Sequence, residues 1–193
     1  MGVVSVFGAS VAERGSPLWV AAARCGRLLA EADVVVATGG YGGVMEAVSA
    51  GAAAAGGEVV GVTAPAVFPG RIGANGFVTL EHQEATIGSR IARLVEIADA
   101  CIALPGSLGT ATELLVAWNY AYVAQFSGRA PKPLYAVGDP WTTLVPTLVA
   151  RLDADPGLVT VVDDVDTAVA AVIADLGGAD LTGTESGPPP AGS

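Results

Sequence analysis

One carboxylate and one guanidinium in this sequence are placed where they could act on a bound phosphate ester. Glu113 is the only acid in the stretch CIALPGSLGTATELLVAWNYA, residues 101–121, where a glycine-rich turn separates an apolar run from a helical pattern. Arg90 lies near the start of the preceding helical pattern, in ATIGSRIARLVEIADA. A positioned carboxylate can act as a general base or stabilise a cationic sugar, and an arginine can bind that carboxylate or a phosphate. We predict that both side chains lie at the carboxyl edge of one sheet.

Each of these residues also has an ordinary structural interpretation. An acid in the first turn of a helix stabilises the helix dipole by about 0.3–1 kcal/mol, and Glu113 could do only that. Arg90 and Arg93 could belong to a solvated helix face, and for Arg93 an ion pair with Glu96, three residues on, is the better interpretation. We favour a site role for Arg90 and Glu113.

Three turns rich in small residues follow predicted strands, with the sequences FGAS, ATGGYGGVMEA and LPGSLGTATE. Glycine lets the backbone approach a ligand closely, and helix N-termini offer free N–H groups to an anion. A single such turn is as often plain turn chemistry, but three at strand ends predict one anion site. The predicted ligand-binding residues are Gly8, Ser10, Gly39, Gly40, Gly42, Gly43, Met45, Pro105, Gly106, Ser107, Gly109 and Thr110.

The elements that must position these turns follow an α/β pattern. Short β-branched runs alternate with longer Ala- and Leu-rich stretches, which predicts a doubly wound, mainly parallel sheet with helices on both faces. Strands are predicted at Val3–Phe7, Val34–Ala37, Glu58–Thr63, Phe77–Leu80, Cys101–Leu104, Pro133–Val137 and Val159–Val162. Helices are predicted at about 17–31, 43–55, 87–98, 109–126, 140–152 and 164–176. Residues 1–176 are expected to form one domain, and the Gly-, Pro- and Ser-rich residues 177–193 a disordered tail.

Composition excludes several classes of function. The net charge of −10, with a single lysine, argues against a nucleic-acid partner, so an anionic ligand must be held by backbone amides and a few arginines. Two cysteines and one histidine give no metal-ligand spacing, and we predict no metal and no cofactor. No apolar run is long enough to span a membrane, and the N-terminus lacks the positive region of a secretory signal. We therefore predict a cytoplasmic protein, with Cys25 and Cys101 as buried free thiols.

At the glycine turns and at Arg90 the sequence resembles the LOG-like (Lonely Guy) family, formerly described as lysine decarboxylase-like. The family motifs GGGxxGLMG and PGGxGTxxE are matched by TGGYGGVMEA, residues 38–47, and PGSLGTATE, residues 105–113. The resemblance covers about residues 1–170. It implies a Rossmann-like fold, a homodimer with its sites near the subunit interface, and hydrolysis of the N-glycosidic bond of nucleoside 5′-monophosphates, such as a cytokinin riboside monophosphate or AMP. In such enzymes the matching arginine and glutamate act on that bond, so Arg90 and Glu113 are the implied catalytic residues.

Three departures from the family pattern keep an alternative open. Ser107 replaces the second glycine of PGG, Glu46 stands where the family turn has glycine, and the usual Arg-Lys pair is Arg90-Ile91. The stretch GVMEAVSAGA resembles a sister branch that contains molybdenum-cofactor carrier proteins, which bind a phosphorylated pterin without cleaving it. The alternative function is therefore a non-catalytic carrier or sensor of a phosphorylated ligand.

Two further expectations concern aromatic and histidine side chains. Trp118, Tyr120 and Tyr122 lie on a predicted helix, where packing in the core or an interface is favoured over stacking on a base. His82 is expected on a surface loop after the fourth strand.

Overall fold

A computed structural model shows seven parallel strands covered by helices on both faces, and it describes residues 1–71 and 73–182. The strands are β1 Val3–Phe7, β2 Val35–Thr38, β3 Val59–Thr63, β4 Leu80–Gln83, β5 Ala100–Ala103, β6 Leu134–Val137 and β7 Thr160–Val162. The α-helices are α1 Pro17–Glu31, α2 Val44–Ala54, α3 Ile87–Ile97, α4 Leu108–Phe126, α5 Trp141–Leu152 and α6 Val165–Thr182. None of the helices in this part of the chain is long and apolar enough to cross a membrane.

The order of the strands across the sheet is β4-β3-β2-β1-β5-β6-β7, and every neighbouring pair is parallel. The chain builds outward from β1 to β4 and then returns to the other side of β1 to add β5, β6 and β7. This reversal confirms the predicted doubly wound α/β fold. It also creates a switch point between β1 and β5, from whose carboxyl ends the chain departs toward opposite faces.

Each face of the sheet has its own hydrophobic core. Helices α1, α2 and α6 pack on one face and α3, α4 and α5 on the other. The helices α1 and α2 approach very closely, because a Cβ at Gly26 would lie 2.0 Å from the Val48 carbonyl oxygen and one at Gly51 would lie 1.8 Å from that of Ala23. This contact explains the small residues of AVSAGAAAAGG as a close-packed helix face.

The fourth strand lies three residues later than the sequence predicted. Asn75 holds the preceding loop in a turn, since its side chain donates to the carbonyls of Gly40 and Tyr41 and its carbonyl accepts from Val78. The strand β4 therefore begins at Leu80, and His82 lies within it rather than on a loop. The strand β4 lies at the edge of the sheet and pairs with β3. An edge strand can be polar, and the sequence LEHQ has no alternation of apolar and polar residues that would predict a strand.

The last helix also departs from the prediction. Helix α6 continues to Thr182, so residues 177–182 are helical rather than part of the predicted disordered tail. The remainder of that predicted tail, residues 183–193, lies outside the described residues. Cys25 and Cys101 are buried free thiols, as expected, and burial raises the pKa of each to about 12.

Candidate functional site

The loops that follow β1 and β5 line an open cavity at the switch point of the sheet. The cavity has a volume of about 390 Å³ and is lined by Ala9, Ser10, Val11, Leu18, Pro105, Gly106, Ser107 and Pro140. In open parallel sheets ligands bind beyond the carboxyl ends of the strands at this position. A separate cavity of about 470 Å³ lies at the opposite, amino edge of the sheet, and none of the predicted site residues lines it.

Backbone hydrogen bonds connect the three glycine turns. The Ala9 amide donates to the Pro105 carbonyl at 3.2 Å, which joins the first turn to the third. The Val44 amide donates to the Ala9 carbonyl at 2.8 Å, which joins the second turn to the first. The turns therefore converge as predicted. Of the predicted ligand-binding residues, however, only Ser10, Pro105, Gly106 and Ser107 line the cavity.

The N-terminus of α4 opens into this cavity. Ser107 is the N-cap residue, but its side chain makes no capping hydrogen bond, so the first N–H groups of the helix have no side-chain acceptor from the cap. Just behind them, the Thr110 hydroxyl is buried and has no hydrogen-bond partner among the described residues. A buried polar group without a partner is costly, and the hydroxyl would gain a partner if Thr110 turned toward a ligand oxygen bound at these amides.

Gly106 packs directly against Thr110. A Cβ built on Gly106 would lie 2.1 Å from the Thr110 hydroxyl oxygen, closer than two heavy atoms can approach. Any other residue at position 106 would therefore push Thr110 aside. Gly109, by contrast, has nothing within 4 Å of a Cβ position and lies in open space.

Most of the second turn is packed against protein rather than open to a ligand. A Cβ at Gly39 would lie 1.7 Å from the Arg90 guanidinium, and one at Gly43 would lie 2.5 Å from the Ser10 carbonyl carbon. Gly40 and Gly43 have φ angles of 74° and 68°, which only glycine adopts easily. Gly8 is buried against Val44. Binding of a ligand by Gly8, Gly39, Gly40, Gly42, Gly43 and Met45 remains a prediction.

Arg90 lies beneath this turn and contacts several elements of the fold. It lies in the first turn of α3, which begins with a capping box between Thr86 and Ser89. Its Nε donates to the Val62 carbonyl at 2.8 Å, and one terminal nitrogen donates to the Gly39 carbonyl at 3.1 Å and contacts the Met45 sulfur at 3.7 Å. The guanidinium also lies 5.7 Å from the centre of the Tyr41 ring. Arg90 thus ties β2, β3 and α2 to α3.

Glu113 is the acidic partner of Arg90, as the sequence suggested. The Arg90 Nη1 donates to Glu113 Oε1 at 3.3 Å, and both residues are buried. Because α4 begins at Leu108, Glu113 lies in the second turn of the helix, and a simple role at the helix dipole is wrong for it. Burial raises the pKa of Glu113 to about 7, although the neighbouring Arg90 charge acts in the opposite direction.

Other charges near the turns are arranged differently from the sequence expectation. Glu46 stands where the LOG-like turn has glycine. It forms an ion pair with Arg14 at 2.5 Å, which connects α2 to the loop after β1. Arg93 pairs with Glu84 at 3.2 Å and not with Glu96, because the end of β4 comes closer than the next helical turn. Among the described residues no group of three or more His, Cys, Asp or Glu side chains is arranged to hold a metal ion.

Sequence reasoning missed the residues that hold the second turn in place. Tyr41 is buried and its hydroxyl accepts from the Ala64 amide at 2.8 Å, while Asn75 crosses from the loop between β3 and β4 to the carbonyls of the turn. Tyr41 could have been found, since it interrupts the glycines of TGGYGG. No local sequence pattern could have identified the role of Asn75, because the carbonyl groups to which its side chain donates lie more than 30 residues away in the sequence.

The fold is similar to those of molybdenum cofactor binding and carrier proteins and to that of a DNA processing protein. The molybdenum cofactor carrier protein from Chlamydomonas reinhardtii is 26% identical, with a TM-score of 0.70 over 92% of this chain and 99% of that chain. The molybdenum cofactor binding protein from Rippkaea orientalis is 24% identical, with a TM-score of 0.71 over 91% and 97% of the two chains, which shows a shared fold. DNA processing protein A from Helicobacter pylori shares the fold at 16% identity, with a TM-score of 0.56 over 90% of this chain and 80% of that chain.

These similarities agree with the expected likeness to molybdenum-cofactor carrier proteins, whereas membership of the LOG-like family stays a prediction. A search of curated protein sequences finds no significant match. The model of the SLOG cluster4 family matches residues 1–126, which include β1 to β5, the three glycine turns, Arg90 and Glu113. The chain therefore belongs to the SLOG cluster4 family.

Proposed function

We propose that this protein is a carrier of a small phosphorylated ligand, of the class of a phosphorylated pterin such as the molybdenum cofactor or of a nucleotide. The observation that carries the proposal is the buried Thr110 hydroxyl, which lacks a partner among the described residues and lies under Gly106 at the open N-terminus of α4. The 26% identity to the Chlamydomonas carrier protein, over nearly the whole of both chains, supports the same class of ligand.

The acidic composition is compatible with an anionic ligand at this site. Neutral backbone amides at a helix N-terminus attract a phosphate through the helix dipole and need no formal positive charge. The four residues that line the cavity and were predicted from the sequence are Ser10, Pro105, Gly106 and Ser107, and all four are uncharged. A carrier must also release its ligand, which a site without a bidentate arginine favours.

Binding without cleavage is supported by the way Arg90 is engaged. Its guanidinium already donates to Val62, Gly39 and Glu113 and contacts Met45. Little of its donor capacity is left for a phosphate or a sugar hydroxyl. We therefore assign the Arg90–Glu113 pair a structural role in the carrier, as the link between the second turn and α4.

Substitution of Thr110 tests the proposal directly. The change Thr110→Val keeps the shape of the side chain and removes a hydroxyl that has no partner among the described residues, so the free energy of unfolding of the empty protein should stay the same or rise by up to about 1 kcal/mol. Binding of AMP and of inorganic phosphate, measured by isothermal titration calorimetry, should weaken by roughly tenfold, since a hydrogen bond to a charged group is lost.

A matched control lies on the same helix. Thr112 is exposed and its hydroxyl donates to the Leu108 carbonyl at 2.8 Å, so Thr112→Val should leave anion binding unchanged. Equal affinity in the wild type and Thr110→Val, or no binding by the wild type, would contradict the proposed site. Pterin carriage is tested separately, by releasing any bound compound from the purified protein with an oxidant and measuring the fluorescence of the resulting pterin.

A second candidate, N-glycosidic hydrolysis of nucleoside 5′-monophosphates, is favoured by one observation. A carboxylate with a pKa of about 7 is well matched to general-base chemistry at neutral pH, and Glu113 has that property beside a guanidinium. The enzyme would release free base from AMP, CMP, GMP, UMP or N6-isopentenyl-AMP, and Glu113→Gln would abolish release while keeping binding. Absence of free base with all five nucleotides would leave the carrier as the function. A cytoplasmic location and a homodimeric state are parts of both proposals.

A further inference from the structure

A second open cavity adjoins the one at the switch point and continues it along the carboxyl edge of the sheet. It has a volume of about 730 Å³, and Leu18 and Pro105 line both cavities. Part of its wall is apolar and comes from the start of α1 and from the ends of β5 and β6, through residues such as Leu104 and Val137. The two cavities form one groove from the N-terminus of α4 to the end of β7, and we refer to it as the edge groove.

The two ends of the edge groove differ in charge. Every residue that lines the cavity at the switch point is uncharged. The cavity beside β7 is lined by three carboxylates, Asp163, Asp164 and Asp166, and by one cation, Arg24. This excess of negative charge repels a phosphate from the β7 end. A ligand whose phosphate lies at the N-terminus of α4 therefore points its other end, which we call the head, toward the carboxylates.

Within the described part of the chain, two of these carboxylates have partners and the third has none. Asp166 accepts hydrogen bonds from the Arg24 Nε at 2.8 Å and from a terminal nitrogen of the same guanidinium. Asp164 accepts from the Thr167 amide at 2.8 Å, in the first turn of α6. Asp163 directly follows β7, and its exposed side chain receives no hydrogen bond from a described residue. Both of its carboxylate oxygens are available to a ligand.

We propose that Asp163 binds the head of the ligand, and that this head is the 2-amino-4-oxopyrimidine ring that guanine and pterins share. Such a ring carries a ring N–H and an amino group side by side, and both can donate to the two oxygens of one carboxylate. Adenine has an unprotonated ring nitrogen at the matching position, and its lone pair would face the carboxylate. The inference rests on the proposed function, because it names the class of phosphorylated ligand that the same groove takes.

The length of the edge groove suits such a ligand. One strand, β6, lies between β5 and β7. Neighbouring strands are about 4.8 Å apart, so the ends of β5 and β7 are separated by about 10 Å. The phosphate and the outer edge of the base in a nucleoside 5′-monophosphate are a similar distance apart. Between the two ends, the apolar side chains of Leu18, Leu104 and Val137 can pack against the flat face of a heterocycle.

Calorimetric titration with three nucleotides that differ only in the base tests the inference. GMP offers two donors to Asp163, IMP lacks the amino group and offers one, and AMP has no ring N–H at that position. We expect the wild type to bind GMP roughly tenfold more tightly than IMP, and IMP more tightly than AMP. In Asp163→Asn a carboxamide replaces the carboxylate and turns one acceptor into a donor. This variant should lose most of the difference in affinity between GMP and AMP.

The matched control is Asp153→Asn, which removes the same charge at the end of α5. Asp153 is exposed and does not line the edge groove, and its φ of 53° is one that Asn also adopts. The control should keep the preference for GMP. Equal affinity of the wild type for the three nucleotides overturns the inference, and so does a preference for GMP that survives in Asp163→Asn or disappears in Asp153→Asn.

Guanosine and inorganic phosphate separate this inference from the proposed function. If the wild type binds phosphate and AMP in a manner that depends on Thr110 but does not prefer GMP, the carrier stands and the role of Asp163 fails. If guanosine binds as tightly as GMP and the binding is lost in Asp163→Asn, the site for the head stands and the phosphate site of the proposed function fails.

Discussion

The turn after β2 and the turn after β5 look alike in the sequence, yet their glycines have different surroundings in the structure. In the first, Gly39 and Gly43 have protein atoms at 1.7 Å and 2.5 Å from the position of a Cβ. In the second, Gly109 has no atom within 4 Å, and Gly106 leaves room only for the Thr110 hydroxyl. A glycine-rich turn can thus serve close packing of protein on protein or access of a ligand. The free space at Gly109 distinguishes the turn after β5 from the turn after β2, although Gly106 is itself packed against Thr110.

The largest effect that tests this comparison is expected at Gly39. The substitution Gly39→Ala drives a methyl group into the Arg90 guanidinium, so the pair with Glu113 must shift or break. Overpacking together with disruption of a buried ion pair should lower the free energy of unfolding by about 3–5 kcal/mol, measured by urea denaturation. Gly42→Ala is the control, because its nearest neighbour would be a flexible Glu46 oxygen at 3.9 Å, and a similar loss there would contradict the assignment.

A smaller effect is expected from the titration of Glu113. Its pKa in the folded protein is raised from 4.5 to about 7, so the folded state holds a proton that the unfolded state releases between these values. This contribution to stability is fully present below about pH 4.5 and is lost as the pH rises through 7, by up to about 3 kcal/mol.

The variant Glu113→Gln checks this sign, because it cannot titrate. Thermal unfolding followed from pH 4.5 to 8 should show a decline in the wild type that is reduced in Glu113→Gln. Parallel curves for the two proteins would mean that the pKa of Glu113 is close to its ordinary value of 4.5. Water would then reach this carboxylate more freely than the structure indicates.

The smallest effect is expected at Gly109, and its sign is opposite to that at Gly39. Since Gly109 lies in a helix and has free space around it, Gly109→Ala should raise the free energy of unfolding by up to about 1 kcal/mol. If the backbone here approaches a phosphate, the same variant should bind AMP more weakly than the wild type. A loss of stability in the empty protein would mean that Gly109, like Gly39, has no free space for a Cβ atom.

Much of the fold followed from sequence patterns, for identifiable reasons. Strands such as β1 and β5 are buried on both faces and are almost entirely apolar, so their positions were evident to within one residue. The strand β4 was misplaced because an edge strand needs no apolar run and because a distant residue, Asn75, fixes the loop before it. The pairing of Arg90 with Glu113 was foreseeable, since both follow strands whose carboxyl ends meet at one edge.

The sequence by itself determined most of the elements, their parallel arrangement and the presence of glycine turns at one edge of the sheet. These are consequences of periodicity and of local backbone geometry, which depend on near neighbours in the chain. Only the tertiary structure decided which turn is closed by Arg90 and Tyr41 and which hydroxyl is left without a partner among the described residues. Those properties depend on atoms far apart in the sequence that packing brings together, and no local pattern records them.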